Sequence, residues 1–270
     1  MFKKASVLVA LVLALVFAIP ASAITWGTPD GNAHPHVGLM VFDVNGAPAW
    51  RCSGTLLSET VMLTAGHCTY GATGGRVWFD ADVRGNPANT YPFAGGAAIE
   101  FAAIHTHPQY NDAAFFLHDL GIVILSQPVS GVPYAKLVDI GLLDQLATKR
   151  GQQVQTFTPV GYGVQEIVPN PADEVRLLIR YRATTKMIGV KGTFGIPDGV
   201  AVVFTNNPGQ PHTGGTCFGD SGGPIFWDGD GRIAAVTSFG VNPNCVGNGG
   251  GYRIDQPDDQ AWIRSFVPGA

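Results

Sequence analysis

Beyond residue 23 the chain is built of short apolar or alternating runs, each soon broken by Gly, Pro, Asn or Asp. With 36 glycines and 19 prolines, there is little room for long helices. The runs Val37–Val44, Gly54–Leu57, Val61–Thr64, Arg76–Phe79, Ala97–Ala103 and Gly121–Leu125 read as strands in the first half. In the second half Gln152–Gly161, Arg176–Ala183, Val200–Thr205, Pro224–Trp227, Arg232–Ser238 and Gly251–Ile254 read the same way. Many short strands joined by turns predict an all-β barrel or sandwich. Helical spacing is clear only at Asp258–Val267, where Ala261, Ile263 and Phe266 are expected to face one way beside Trp262. Leu142–Lys149 reads as either a helical turn or an extended linker. The change of pattern near residues 140–150 predicts two units, 24–145 and 146–270.

The first residues carry a different message. Met-Phe-Lys-Lys leads into an apolar run from Ala5 to Ile19 and then Ala21-Ser22-Ala23, the make-up of a secretory signal peptide over residues 1–23. The apolar run is shorter than the roughly 20 residues of a membrane span, so cleavage is expected to release a secreted, extracellular protein with no membrane contact, starting at Ile24. Loss of Lys3 and Lys4 takes the net charge from −4 to −6, and no Lys/Arg cluster remains to bind nucleic acid. Four cysteines, Cys52, Cys68, Cys217 and Cys245, allow three pairings in an oxidising compartment. The local pairing, Cys52 with Cys68 and Cys217 with Cys245, closes loops worth roughly 3 kcal/mol or a little more each.

The chemistry concentrates in Gly214–Ile225, Gly-Gly-Thr-Cys-Phe-Gly-Asp-Ser-Gly-Gly-Pro-Ile. A serine among glycines can be closely approached, and the flanking backbone N–H groups are free to point at a developing oxyanion. The same residues also suit an ordinary surface turn. Gly219-Asp220-Ser221-Gly222-Gly223 fits the nucleophile elbow of α/β-hydrolases too, but that class needs its histidine after the serine, and the last histidine here is His212. The base must therefore precede Ser221. Of His34, His36, His67, His105, His107, His118 and His212, only His67 follows a strand-like run directly and abuts a cysteine able to pin its loop. His34-x-His36 and His105-x-His107 lack a convincing third ligand, and no metal is expected. Asp119 heads the apolar strand Gly121–Leu125, where a carboxylate is costly unless paired; Asp112 is its nearest rival.

Thr64-Ala65-Gly66-His67-Cys68, Asp119-Leu120-Gly121-Ile122 and Gly219-Asp220-Ser221-Gly222-Gly223-Pro224 together resemble, in order, the signature segments of chymotrypsin/trypsin-like serine endopeptidases. His107-Pro108-x-Tyr110, Gly161-Tyr162-Gly163, Ser238-Phe239-Gly240 and Trp262-Ile263 are similar to further family segments. The step from Cys52 to Cys68 resembles the family's disulfide beside its histidine. The resemblance implies two packed six-stranded antiparallel β-barrels with a C-terminal helix, no cofactor, and protein or peptide substrates for a monomeric enzyme. It makes Ser221 the nucleophile, His67 the base, Asp119 the orienting carboxylate, and the N–H groups of Gly219 and Ser221 the oxyanion hole.

By the same resemblance the specificity pocket involves Gly215, Ser238, Phe239, Gly240 and Gly250. Gly215 stands where trypsin-like members carry an acid, and Asn248-Gly249-Gly250-Gly251 has neither an acid nor a bulky plug. An open, uncharged pocket resembles the chymotrypsin type and implies cleavage after large apolar or aromatic residues. Ile24-Thr25-Trp26-Gly27 resembles the family's mature start, which implies that a new Ile24 amine pairs with Asp220. The alternatives are a serine esterase and a non-catalytic homologue that binds partners. Asp80–Asp82 matches the family's calcium loop poorly.

Overall fold

A computed structural model describes residues 24–147, 154–165, 177–192, 195–207 and 213–267. The expected signal peptide, Lys149, Gln152, Arg176 and His212 lie outside them. The strands of the first half are β1 (Thr28–Pro29), β2 (Val37–Val44), β3 (Ala47–Leu56), β4 (Val61–Thr64), β5 (Gly74–Trp78), β6 (Ile99–Thr106) and β7 (Gly121–Leu125). Those of the second are β8 (Thr156–Gly161), β9 (Tyr181–Arg182), β10 (Thr185–Gly189), β11 (Ala201–Thr205), β12 (Pro224–Trp227), β13 (Ile233–Gly240) and β14 (Asn248–Arg253). Three short α-helices, α1 (Gly66–Thr69), α2 (Leu142–Leu146) and α3 (Pro257–Phe266), and a 3₁₀ turn at Asp112–Ala114 complete the described chain.

β2, β3, β4, β7, β6 and β5 close into one antiparallel barrel. In the second sheet β8, β10, β11, β14, β13 and β12 follow one another, and β12 pairs back onto β8, closing a second six-stranded antiparallel barrel. β1 and β9 extend β8 outside that ring.

β2 explains why its sequence is apolar throughout. Met40 and Phe42 face the first barrel's interior with Cys52, Leu56, Met62 and Val123. Val37, Leu39 and Val41 face the other way, into a core shared with Val160, Tyr162 and Phe226 of the second half. Both faces are buried, so the polar alternation of a half-exposed strand is absent. The first barrel's β3 begins at Ala47, well before the expected Gly54, because Ala47 and Pro48 continue the pairing with β2 despite a weak local signal. β10 was not expected at all: only Thr185 and Met187 of its five residues point fully inward, too few to mark a strand.

The C-terminal helix is where expected but presents a different face. Ala261 is exposed, and the buried side carries Asp259, Gln260 and Ile263. Polar residues sit inward there because each finds a partner. Gln260 Nε2 donates to the Val138 carbonyl, and Asp259 accepts from Tyr252 Oη.

A buried ion pair ties the two halves together. Arg180, fully buried, donates to Asp30 at 3.0 Å and to the carbonyls of Val37, Phe79 and Gly31. Burial works to raise the Asp30 carboxyl, but bonds and charge from His34 and Arg180 outweigh it and hold the group at about 2. Removing one member of such a pair typically costs about 3–5 kcal/mol, because the other is left buried and uncompensated.

Candidate active site

His67 and Asp119 are brought together by strand register. β4 ends at Thr64, directly opposite Gly121 at the start of β7. α1 then lifts His67 from the end of one strand while a sharp turn at His118 (φ 48) delivers Asp119 at the mouth of the other. The Cys52–Cys68 disulfide fastens α1 to β3. Asp119 is fully buried and accepts three different donors: His67 N at 2.8 Å, His67 Nδ1 at 2.9 Å, and Ser238 Oγ at 2.5 Å. The carboxylate thereby fixes Nδ1 as the protonated nitrogen and leaves Nε2 as the free base. Burial disfavours the charged imidazole, but the Asp119 charge and hydrogen bond outweigh it and raise His67 above its ordinary value of 6.5. Asp112 is exposed and acts on His67 only through its charge.

The Ser221 loop docks against this pair. Ser53 N donates to the Ser221 carbonyl at 2.8 Å, and Gly222 N donates to the Thr237 carbonyl, next to Ser238. Gly222 sits at φ 75, and a Cβ there would lie 2.0 Å from Thr64 Oγ1. Only glycine lets the serine loop approach so close to the strand that carries His67. The N–H groups of Gly219 and Ser221 donate to no partner among the described residues, while those of Asp220, Gly222 and Gly223 are bonded. Two adjacent unspent donors are what a tetrahedral oxyanion requires. The Ser221 hydroxyl likewise makes no hydrogen bond among the described residues, and it lines a cleft of about 420 Å³.

Beside Ser221 the cleft is walled by Phe115, Cys217, Phe218, Ser238, Phe239 and Gly240, with no charged side chain among its lining residues. Cys217 is held to Cys245 by the second disulfide. Gly215 and Gly250 are not among its lining residues. A Cβ on Gly215 would lie 1.9 Å from Asn206 Oδ1, and one on Gly250 would lie 2.0 Å from the Phe239 ring. The space those glycines leave is filled by a carboxamide and an aromatic ring. Asn206 is buried and donates to the Thr216 carbonyl at 3.1 Å. Sequence reasoning missed it, since nothing local to residue 206 signals a partner at residue 215.

Asp220 is also fully buried. It accepts from Gly163 N at 2.7 Å and Cys217 N at 2.9 Å. Burial pushes its carboxyl up to about 7, against the pull of those two N–H groups and of the Arg51 charge. No described hydrogen bond or ion pair joins it to Ile24, which packs instead on Tyr181 and Ala183. The expected pair requires a free Ile24 amine, and residue 24 is here joined to residue 23.

The remaining described histidines have structural partners. His34 bonds Asp30, and the His105 ring lies 4.9 Å from Phe266. His107 and His118 stack and converge on Asp259; His107 Nδ1 accepts from Gln109 N, so Nε2 faces the carboxylate as a donor. That network anchors α3 to the turn bearing Asp119. Asp80 and Asp82 accept from Asn86, Asn89 and Gly85.

Two antiparallel barrels with a serine-lined cleft at their junction define a class of serine hydrolase. A family model described as Trypsin matches residues 26–263. Serine protease 1 of Drosophila melanogaster is 29% identical over 229 residues, covering 82% of this chain and 77% of that protein. A trypsin of Saccharopolyspora erythraea is 28% identical, covering 84% and 91%. Among solved structures, HL collagenase superposes with a TM-score of 0.67 at 19% identity, covering 89% of this chain and 96% of that one. Neuropsin from mouse brain gives 0.65 at 20%, covering 89% and 98%. The chain belongs to the trypsin family of serine proteases and is a serine endopeptidase.

Proposed function

We propose that the chain is exported and cuts peptide bonds by acyl transfer, with Ser221 as nucleophile, His67 as general base and then acid, and Asp119 as the orienting carboxylate. The observation that carries this reading is the double grip of Asp119 on His67, through its backbone N–H and its Nδ1. His67 Nε2 takes the Ser221 proton as Oγ attacks the scissile carbonyl, and the imidazolium is stabilised by the Asp119 charge. The free N–H groups of Gly219 and Ser221 receive the oxyanion, a donor being worth on the order of 100- to 1000-fold in rate. His67 then returns the proton to the leaving amine, and water repeats the cycle on the acyl-enzyme. Release of residues 1–23 frees the Ile24 amine to pair with Asp220, whose buried carboxyl has only neutral donors and the Arg51 charge to stabilise its ionised form.

The uncharged, aromatic-walled cleft supports a large apolar or aromatic residue on the acyl side of the scissile bond. Substrates with Phe or Tyr there should be cleaved about tenfold or more faster than those with Arg. Faster Arg cleavage overturns that preference. An active-site phosphonate should label Ser221; an intact protein that resists labelling would instead be a binding homologue.

The pH profile follows from His67. The base must be neutral, and its folded pKa is raised, so kcat/KM should fall as pH drops through a midpoint above 6.5. A midpoint below that value in wild-type protein counts against His67 as the base.

A further inference from the structure

A second groove reaches Gly219 through one of its lining residues, Arg51. It is a groove of about 450 Å³ that includes Trp50, Arg51, Arg84, Tyr91 and Pro92 in its lining. It shares no lining residue with the cleft beside Ser221, and Arg51 stands at the boundary: its Nε lies 2.8 Å from where a Cβ on Gly219 would sit. Two residues further along β3, Ser53 N donates to the Ser221 carbonyl, so the strand that lines this groove also touches the serine loop. If the acyl-side residue occupies the aromatic cleft, the peptide leaving the other way crosses Gly219 toward Arg51.

The charge state of the groove is unusual for an acidic protein. Arg76, Arg180, Arg182, Arg232 and Arg253 each pair with a carboxylate. Arg51, Arg84 and Arg264 do so with none among the described residues, and of these Arg51 and Arg84 line this groove; Arg51 Nη2 is buried without a hydrogen-bond partner, and its charge acts on the buried Asp220. A buried charged donor with no acceptor costs more than a neutral one. A carboxylate in the groove would be drawn to the two guanidinium charges that line it, beside Trp50 and Tyr91.

We infer that this groove is the subsite for an acidic side chain, Asp or Glu, just beyond the scissile bond on the leaving side of the substrate. The inference rests on the proposed function and deepens it: the enzyme selects protein segments with an apolar residue before the cut and an acid soon after.

The test uses C-terminally amidated peptides sharing one acyl half and carrying Asp, Ala or Lys at the second leaving-side position, together with a p-nitroanilide of the same acyl half. Amidation removes the terminal carboxylate as a rival ligand. For the wild-type enzyme kcat/KM should rank Asp over Ala by about three- to tenfold and place Lys below Ala, with the spread shrinking in high salt. Arg84→Glu should invert the ranking, and Arg51→Ala should flatten it. Equal rates for the three peptides, or a ranking unchanged in both variants, overturn the subsite. Anilide turnover alongside equal peptide rates would refute this inference alone, whereas no turnover of anilide or peptide would refute the proposed function itself.

Discussion

Replacing Ser221 with alanine is expected to lower kcat by about a millionfold, the loss that removal of the nucleophile carries in serine proteases. Little folding cost should accompany it. The Ser221 side chain makes no hydrogen bond among the described residues, and the contact that seats its loop, from Ser53 N, uses the backbone carbonyl. The thermal transition should therefore stay close to wild type while turnover and phosphonate labelling vanish. Peptide affinity should persist, since the cleft walls and the arginine groove are untouched. A variant that keeps even a few per cent of wild-type turnover would show that another residue attacks the substrate.

The second large effect is at Asp119. Asp119→Asn preserves size and can still accept from Ser238 or from His67 N, but it presents an N–H₂ group to the imidazole. His67 Nδ1 then becomes the acceptor and Nε2 holds the proton, so the base faces Ser221 already protonated. A loss of about ten-thousandfold in kcat near neutral pH is expected, the scale that a mis-set tautomer carries in triads of this kind. A purely structural role for Asp119 would not move the pH profile. Here the midpoint assigned to His67 should shift downward, because the carboxylate charge that raises its pKa is gone while burial still opposes protonation. Measured by pH-dependent kcat/KM or by imidazole proton shifts, an unmoved midpoint would remove Asp119 from the mechanism.

Much of this architecture was legible in the chain. Val37–Val44, Val61–Thr64, Gly121–Leu125 and Pro224–Trp227 coincide with β2, β4, β7 and β12, because both faces of these strands are largely buried and leave continuous apolar runs. β3 and β10 were harder. Ala47 and Pro48 carry no strand signal of their own, and Thr185–Gly189 turns too few side chains inward, so partner strands decide both. The helix face was misjudged for a related reason. Hydrophobic spacing pointed to Ala261, but buried Asp259 and Gln260 are held by Tyr252 and Val138, partners visible only after folding.

The residues proposed to react also lay within reach of sequence reasoning, since a serine among glycines, a histidine beside a cysteine and an acid before an apolar strand are local patterns. The sequence by itself determined which side chains can do the chemistry and that short strands must carry them. Tertiary structure alone decided what surrounds them: Asn206 fills the space at Gly215, the Phe239 ring lies on Gly250, and the Arg51 guanidinium lies against Gly219. Those neighbours lie on separate strands and turns, and barrel closure sets their distances, so no local pattern of residues encodes them.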